Sequence, residues 1–316
     1  MNSSLYSIHN KYREIILITM TTKQTTLSWK NYLELCKPKV VVLLVFTAIV
    51  GMLLAVPGMP PIDLLIYGTI GIGLASSSAA AFNHFIDQKA DAKMARTLNR
   101  PLPTGDLNSR NVLLFAAIIG LIAMIVLVVF VNTLTAVLTF LSLIGYAIIY
   151  TIYLKHMTPL NIVIGGAAGA APPVLGWTTI TDAIHPHALL LFLIIFVWTP
   201  PHFWALAIAK RKEYANAGIP MLPVTHGPEY TRIQILLYTI LLFIVTLLPY
   251  LTGMSGLIYL ATATILGFGF IYFAIKMLRH TDDKTAMKTF FYSINYLMVL
   301  FAALLIDHYF LFSLSL

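Results

Sequence analysis

Long apolar stretches separated by short polar segments dominate the chain from residue 38 onward. Each stretch reaches the ~20 residues that an α-helix needs to cross the hydrocarbon core of a bilayer. The stretches are residues 38–57, 62–82, 111–131, 133–153, 160–180, 187–209, 233–252, 255–275 and 290–311. The pattern therefore predicts an all-α integral membrane protein, built as a bundle of nine transmembrane helices.

The distribution of basic residues tests this number of helices, since a wrong number would scatter lysine and arginine over both sides of the membrane. Of the 20 basic residues, six precede or begin the first stretch, and five, one, four and four follow the second, fourth, sixth and eighth stretches. The other loops contain none. Because basic residues stay on the cytoplasmic side, we expect a cytoplasmic N-terminus and a C-terminus across the membrane.

The amino-acid composition agrees with an integral membrane protein and excludes several other kinds of site. The chain is 59% hydrophobic and 10% charged, and its net charge of +8 fits the topology and an attraction to anionic lipid and phosphate. We expect no nucleic-acid partner. A single cysteine, Cys36, excludes an intramolecular disulfide framework and a cysteine-based metal site. We expect one membrane domain over residues 29–316, preceded by a polar N-terminal tail, residues 1–28.

Two loops on the predicted cytoplasmic side are long enough to carry chemistry, residues 83–110 and 210–232. Each continues a membrane helix and then meets prolines, so we expect short helical segments that fold back over the bundle. Two apolar stretches also contain proline pairs, Pro172–Pro173 and Pro200–Pro201. The pairs indicate either a central cavity that opens to the cytoplasmic face or ordinary helix kinks.

Three oxygen-bearing side chains recur every four residues where the second stretch ends: Asn83, Asp87 and Asp91. Residues four apart share one face of a helix, so the three side chains point the same way. Such a stack suits Mg²⁺ holding a diphosphate, and Arg96 and Arg100 could clamp phosphate oxygens bidentately. The alternative is a solvated helix end whose acids pair with neighbouring basic residues.

The second loop repeats this chemistry with fewer acids. Glu213 offers one more carboxylate, and Lys212 belongs to a basic run that could neutralise a diphosphate or only anchor the loop at the membrane surface. The phosphate-binding loop and dinucleotide fingerprints are absent from the sequence, so phosphate recognition would use a metal and side chains. Four aromatic residues of the apolar stretches would ordinarily pack between helices: Tyr146, Tyr150, Phe203 and Trp204.

Three longer strings carry a resemblance to a known family. They are NHFIDQKADAKMARTLNRPLPTG, GAAPPVLGW and WTPPHFWALAIAKRKEYANAGIPMLPV, at residues 83–105, 169–177 and 198–224. The chain resembles the protoheme IX farnesyltransferase (heme O synthase) family, within the UbiA superfamily of intramembrane prenyltransferases. The resemblance extends from LCKPKV, Leu35 to Val40, to the last apolar stretch. The NxxxDxxxD pattern marks only the superfamily, whereas PPHFWALAI and AGIPMLPV point to the heme-modifying family.

The resemblance implies transfer of a farnesyl group from farnesyl diphosphate to the C2 vinyl group of heme b. Water adds in the same reaction, and the products are heme O and diphosphate. Heme b is then a substrate, and Mg²⁺ is the implied cofactor. The implied setting is the bacterial inner (plasma) membrane, with the C-terminus in the periplasm. A heme A synthase or an oxidase-assembly protein is a candidate partner in heme A biosynthesis for terminal oxidases.

The resemblance also implies roles for individual residues. Asn83, Asp87 and Asp91 would be catalytic and would bind the metal, together with Glu213. The diphosphate would be bound by Arg96, Arg100, Lys155 and Lys212. The four aromatic residues would shelter an allylic carbocation by cation–π contact or simply pack between helices. For heme binding we expect His202 first and His156 second, although a lone histidine in an apolar helix is more often structural. Many superfamily members carry a second DxxxD, but position 217 is alanine here, which leaves the number of metal ions open.

Two other functions remain open at this point. The first is a prenyltransferase of the same superfamily that acts on an aromatic or quinone precursor, for which a second DxxxD would be expected. The second is a transporter. Transporters usually place ionisable groups near the middle of the membrane, whereas most acids of this chain lie at one predicted face.

Overall fold

The computed structural model describes residues 28–314, except for the side chains of His156 and of residues 311–314. The predicted N-terminal tail therefore lies almost wholly outside the described residues. Within them the chain is helical and contains no strand. The helices are α1 (Trp29–Leu35), α2 (Pro38–Leu54), α3 (Ile62–Asp91), α4 (Ser109–Phe130), α5 (Thr133–Ile144), a π-helix (Gly145–Leu154), α6 (Lys155–Met157), α7 (Asn161–Ala170), α8 (Pro172–Thr181), α9 (Pro186–Ala209), α10 (Arg211–Asn216), α11 (Leu222–Thr225), α12 (Gly227–Leu251), α13 (Leu257–Arg279) and α14 (Asp283–Leu314).

Seven helices of the described chain are long and apolar enough to cross a membrane, which defines a multi-pass membrane protein. They are α3, α4, α5 with the π-helix, α9, α12, α13 and α14. Helices α1 and α2 meet at a bend of 54° and add an eighth span if the pair is taken as one. The remaining predicted span, 160–180, consists of two ten-residue helices, α7 and α8, joined at Ala171. The prediction of nine long helices is therefore met in part.

The two proline pairs behave differently. Pro172 and Pro173 are the first residues of α8, where a missing backbone N–H removes no helical hydrogen bond. Pro200 and Pro201 instead lie inside α9, which continues through them to Ala209. The first pair thus separates two helices, while the second leaves one helix intact.

Small residues allow α2 and α8 to approach until their backbones touch. A side chain at Gly51 would overlap the backbone of Pro173, and one at Gly176 would overlap the carbonyl of Ala48. The small-residue run before and after the proline pair therefore serves close helix packing, as such residues do in membranes. We call this contact the α2–α8 seam.

The cavities of the described chain include two that lie along the bundle. One, of about 320 Å³, is at the end that holds the start of α9 and is lined by Trp177, His185, His187 and His308 among others. The other, of about 340 Å³, is an apolar cavity between α3, α4 and α5. Neither is lined by Asn83, Asp87 or Asp91, so the central cavity opening to the cytoplasmic face remains a prediction.

Candidate active site

Helix α3 runs without interruption to Asp91 and so carries the whole NxxxDxxxD pattern. The Asn83, Asp87 and Asp91 side chains are all buried. The amide of Asn83 donates to Asp87 Oδ2 at 2.7 Å, which confirms that residues four apart stack on one face. Their burial contradicts the alternative of a solvated helix end. We call this end of the bundle the carboxylate end.

Both carboxylates are paired with cations that come from other parts of the chain. Lys155 Nζ lies 2.6 Å from Asp87 Oδ2, and Arg100 Nη1 lies 2.6 Å from Asp91 Oδ2. The turn after α3 brings Arg100 back, because the Thr97 hydroxyl donates to the Asp91 carbonyl at 2.8 Å. Two residues predicted to bind diphosphate are thus placed directly against two residues predicted to bind the metal.

Lys37 is a third cation at the carboxylate end, and the sequence analysis did not assign it to the site. Its amine donates to Asn83 Oδ1. Lys37 has a left-handed backbone, with φ of 47°, at the bend between α1 and α2. This conformation is unfavourable for a residue with a side chain, and such strain concentrates at functional sites. The Lys-Pro pair marks the bend in the sequence, since a residue before proline avoids the right-handed α region, but it does not predict a left-handed backbone.

The π-helix positions a second group of side chains against α3. The wider turn lets the Thr151 hydroxyl donate to the Tyr146 carbonyl at 2.8 Å, and Asn83 Nδ2 approaches the same hydroxyl at 3.4 Å. The Tyr150 ring stacks on that of Tyr146 with 5.5 Å between centroids, and it covers Gly165, where a side chain would overlap it. Segments of this kind often occur at functional sites. The sequence predicted an ordinary α-helix here.

The two loops at the carboxylate end are joined by Arg96 and Tyr214. Arg96 Nη2 donates to the Tyr214 hydroxyl at 2.8 Å, and the guanidinium carbon lies 5.3 Å from the ring centroid. Burial raises the pKa of Tyr214, and the nearby Arg96 opposes that rise. The predicted folding of both loops over the bundle is thus accompanied by a direct contact between them.

Glu213 is near this contact but is not gathered with the other acids. Its Oε1 accepts from Lys210 at 3.0 Å, and its Oε2 is buried without a partner. Lys212 is exposed. Among residues 28–314 no group of three or more histidines, cysteines and acids is placed to hold a metal ion. Asp87, Asp91 and Glu213 therefore do not form a closed metal site by themselves.

The described histidines differ in their surroundings. His202 is stacked between Trp198 and Phe290, with centroid distances of 4.2 and 4.5 Å, and its Nδ1 lies 2.6 Å from Ser293 Oγ. Both ring faces are therefore covered by aromatic neighbours. The His156 side chain lies outside the described residues. His84, on α3, is buried and has no partner on either ring nitrogen.

The four aromatic candidates also differ in their surroundings. Tyr146 and Tyr150 lie on the π-helix that contacts Asn83, as described above. Trp204 is fully buried and packs edge-on against Tyr238, which is a core contact. Phe203 is 40% exposed and meets the His202 ring edge-on.

Charge and unsatisfied polar atoms together characterise the site. Four cations, two carboxylates and one amide meet there: Lys37, Arg96, Arg100, Lys155, Asp87, Asp91 and Asn83. Three buried atoms there lack a partner, namely Asp87 Oδ1 and both ring nitrogens of His84. Buried polar atoms are normally hydrogen-bonded, so a concentration of unpaired ones indicates a ligand site. The excess of cations favours an anion.

Solved membrane prenyltransferases share this fold. A structure described as digeranylgeranylglyceryl phosphate synthase matches 89% of this chain and 98% of its own length, with a TM-score of 0.75 and 19% identity. A UbiA homologue from Archaeoglobus fulgidus, bound to GPP and Mg²⁺, matches 87% of this chain and 99% of its own length, with a TM-score of 0.61 and 16% identity. At these identities the likeness concerns the fold.

The family model described as UbiA prenyltransferase family matches residues 44–301. The chain belongs to the UbiA prenyltransferase family. Within it, the chain is 64% identical to the protoheme IX farnesyltransferase of Methylococcus capsulatus, over 90% of this chain and 95% of that protein. It is 60% identical to the protein of the same name from Saccharophagus degradans, over 90% of this chain and 93% of that protein.

Proposed function

We propose that this chain transfers the farnesyl group of farnesyl diphosphate to the C2 vinyl group of heme b, with addition of water, giving heme O and diphosphate. The observation that carries the proposal is the 64% identity to a protoheme IX farnesyltransferase over 90% of the chain. The cation-rich site at the end of α3 supports it, because this site suits a diphosphate. The proposed catalytic unit is the membrane domain, residues 29–316.

The acidic residues fit Mg²⁺ as a cofactor. Mg²⁺ commonly binds one or two carboxylates and completes its shell with water and substrate phosphates, so it does not need a closed protein site. Asp87 and Asp91 supply such carboxylates, and the unpartnered Asp87 Oδ1 is a free ligand atom. Asn83 and Glu213 are the proposed additional ligands. When bound, Mg²⁺ would neutralise charge that develops on the leaving diphosphate.

The cations supply the rest of that neutralisation. Lys155, Arg96 and Arg100 lie on three separate segments or turns around α3, so they can contact different oxygens of one diphosphate. Lys37 adds a fourth positive charge, and we assign it the same role. Lys212 would help to attract the anion from the surface. Preorganised charge of this kind lowers the barrier for departure of the diphosphate, which breaks the allylic C–O bond.

The apolar cavity between α3, α4 and α5 is the proposed place for the farnesyl chain. Phe82 and Ile86 line it, and each precedes a residue of the metal site on the same helix. From Ile86 to Ser78, the lining of the cavity follows about 12 Å of α3 and leads away from the carboxylate end. Tyr146 and Tyr150 would shelter the allylic cation through their ring faces.

The vinyl group of heme b then attacks the allylic cation and forms the new carbon–carbon bond. The positive charge passes to the carbon next to the porphyrin, water adds there, and the water proton is lost to solvent. This leaves a hydroxyethylfarnesyl group. His202 and His156 remain the proposed heme contacts. His202 would bind heme through its ring edge, since its faces are covered by Trp198 and Phe290.

The proposed setting is a bacterial inner membrane with nine crossings. The α1–α2 pair and the α7–α8 pair would supply the two crossings beyond the seven long helices. The N-terminus and the carboxylate end would face the cytoplasm, since the basic residues of the described chain collect there. A heme A synthase or an oxidase-assembly protein remains a proposed partner.

The test is an assay of hemes formed by purified protein in lipid, given heme b, farnesyl diphosphate and Mg²⁺, with and without chelator. We expect a chelator-sensitive product with the mass of heme b plus farnesyl and water. Prenylation of a quinone precursor in place of heme would retain the family and reject the heme substrate. Failure with every acceptor would reopen the transporter alternative.

A further inference from the structure

His84 lies within the site, yet the proposed reaction gives it no role. Its side chain is 2% exposed, and neither Nδ1 nor Nε2 has a hydrogen-bond partner. Leaving a buried polar group unpaired destabilises the folded protein. An apolar residue at this position would avoid that penalty, so the imidazole is not explained by the stability of the ligand-free protein.

The comparison with His202 makes the difference clear. His202 is the other buried histidine among those with described side chains, and it pairs with Ser293 while aromatic rings cover its faces. His202 therefore has its hydrogen-bond partner within the protein. His84 is buried as well, but its ring nitrogens have no hydrogen-bond partner.

The neighbours of His84 identify the kind of partner it lacks. It follows Asn83, which accepts from Lys37, and the charged groups that act on it are Lys37 and Arg100. Both are N–H donors, as an imidazole can be. Donors converge on an anion, whereas Mg²⁺ prefers oxygen ligands.

We propose that His84 is a further substrate-binding residue, whose ring N–H donates a hydrogen bond to a phosphoryl oxygen of the diphosphate, beside Lys37 and Arg100. This inference rests on the diphosphate part of the proposed function and not on the heme part. The inference predicts that the stability of the free protein and its affinity for diphosphate change in opposite directions when His84 is replaced. Replacing His84 by an apolar residue removes an unpaired buried group from the free protein and also removes a contact from the complex.

The experiment compares His84→Leu and His84→Gln in the full chain, reconstituted in lipid. The melting temperature is measured without ligand, and the affinity for inorganic diphosphate with Mg²⁺ is measured by calorimetry. We expect His84→Leu to melt a few degrees higher than the natural protein and to bind diphosphate about tenfold more weakly, a change of ~1.4 kcal/mol. His84→Gln keeps a side-chain N–H donor, so its affinity should stay within about threefold of the natural value.

Thr139→Val is the matched control. The Thr139 hydroxyl is also buried without a partner, but it lies on α5, outside the proposed diphosphate contacts. Valine replaces it with the same shape, so diphosphate affinity should not change. A lower melting temperature for His84→Leu with unchanged affinity would assign His84 a purely structural role and overturn the inference. If the natural protein binds no diphosphate, the proposed function fails and this inference with it.

Discussion

Buried acids occur at both ends of the bundle, and their partners differ. At the carboxylate end, Asp87 and Asp91 are paired with the side-chain cations Lys155 and Arg100. At the other end Asp307, on α14, accepts hydrogen bonds from the backbone N–H groups of Gly256, Ile258 and Tyr259 at the start of α13. All three acids are buried to nearly the same degree.

The partners show how the two kinds of buried acid differ. The Asp307 carboxylate uses both oxygens to cap a helix whose first N–H groups have no other acceptor, and its negative charge is favourable at a helix N-terminus. Asp87 keeps one oxygen unpaired, and the lysine that holds the other can move. Burial of an acid in a membrane protein is therefore a weak signal of function by itself, and the unused oxygen is what distinguishes Asp87 from Asp307.

The largest effect is expected from Asp87→Asn. The change keeps the shape but removes the charge that would bind the metal, so turnover should fall at least about a thousandfold. Heme product is quantified by chromatography and mass, and folding is followed by the melting temperature. Asp63→Asn, an exposed acid at the start of the same helix, is the control and should retain activity. Normal turnover in Asp87→Asn would remove the metal assignment.

Lys155→Met should lower kcat/KM for farnesyl diphosphate by about a hundredfold. A phosphate contact is lost, and the buried Asp87 loses its paired cation. Steady-state kinetics at varied farnesyl diphosphate measures the change. Lys89→Met alters an exposed lysine on α3 and should have kinetics like the natural protein. Equal kinetics in both variants would exclude Lys155 from the diphosphate site.

Asp307→Asn should affect stability and leave catalysis unchanged, the reverse of Asp87→Asn. The loss of charge-assisted capping should destabilise the fold by about 2 kcal/mol, or roughly 5 °C in melting temperature. The kcat of the folded fraction should not change. A large loss of kcat at unchanged melting temperature would contradict the division between the two ends.

Tyr214→Phe should have the smallest effect. It removes the hydrogen bond from Arg96 and keeps the ring, so kcat/KM should fall by about threefold to fivefold. Because the folded state raises the pKa of Tyr214, folding favours its protonated form. Its contribution to stability should be complete below pH ~10 and should decline above that value as the unfolded tyrosine ionises. Thermal melts from pH 8 to 11 should show the natural protein losing its advantage over Tyr214→Phe at high pH.

The periodicity of the sequence was sufficient to predict part of the fold and part of the candidate site. It predicted the helical membrane class and the shared face of Asn83, Asp87 and Asp91, because both follow from spacing within one helix. It did not predict that Lys155 pairs with Asp87 across 68 residues, since such a contact depends on tertiary packing. The left-handed Lys37 and the π-helix were also missed, because packing imposes both against local preference. The roles of these residues in the reaction remain predictions.

The α2–α8 seam has a consequence for how the protein is made. Helix α2 enters the membrane early in synthesis, but Pro173 and Gly176, which its backbone must touch, follow more than a hundred residues later. Until α8 has entered the membrane, the face of α2 that carries Gly51 contacts only lipid or temporary neighbours. The position of Lys37, at the start of α2, is therefore not fixed until late in assembly. We expect a nascent chain truncated before α8 to contain the entire NxxxDxxxD pattern and still bind no diphosphate.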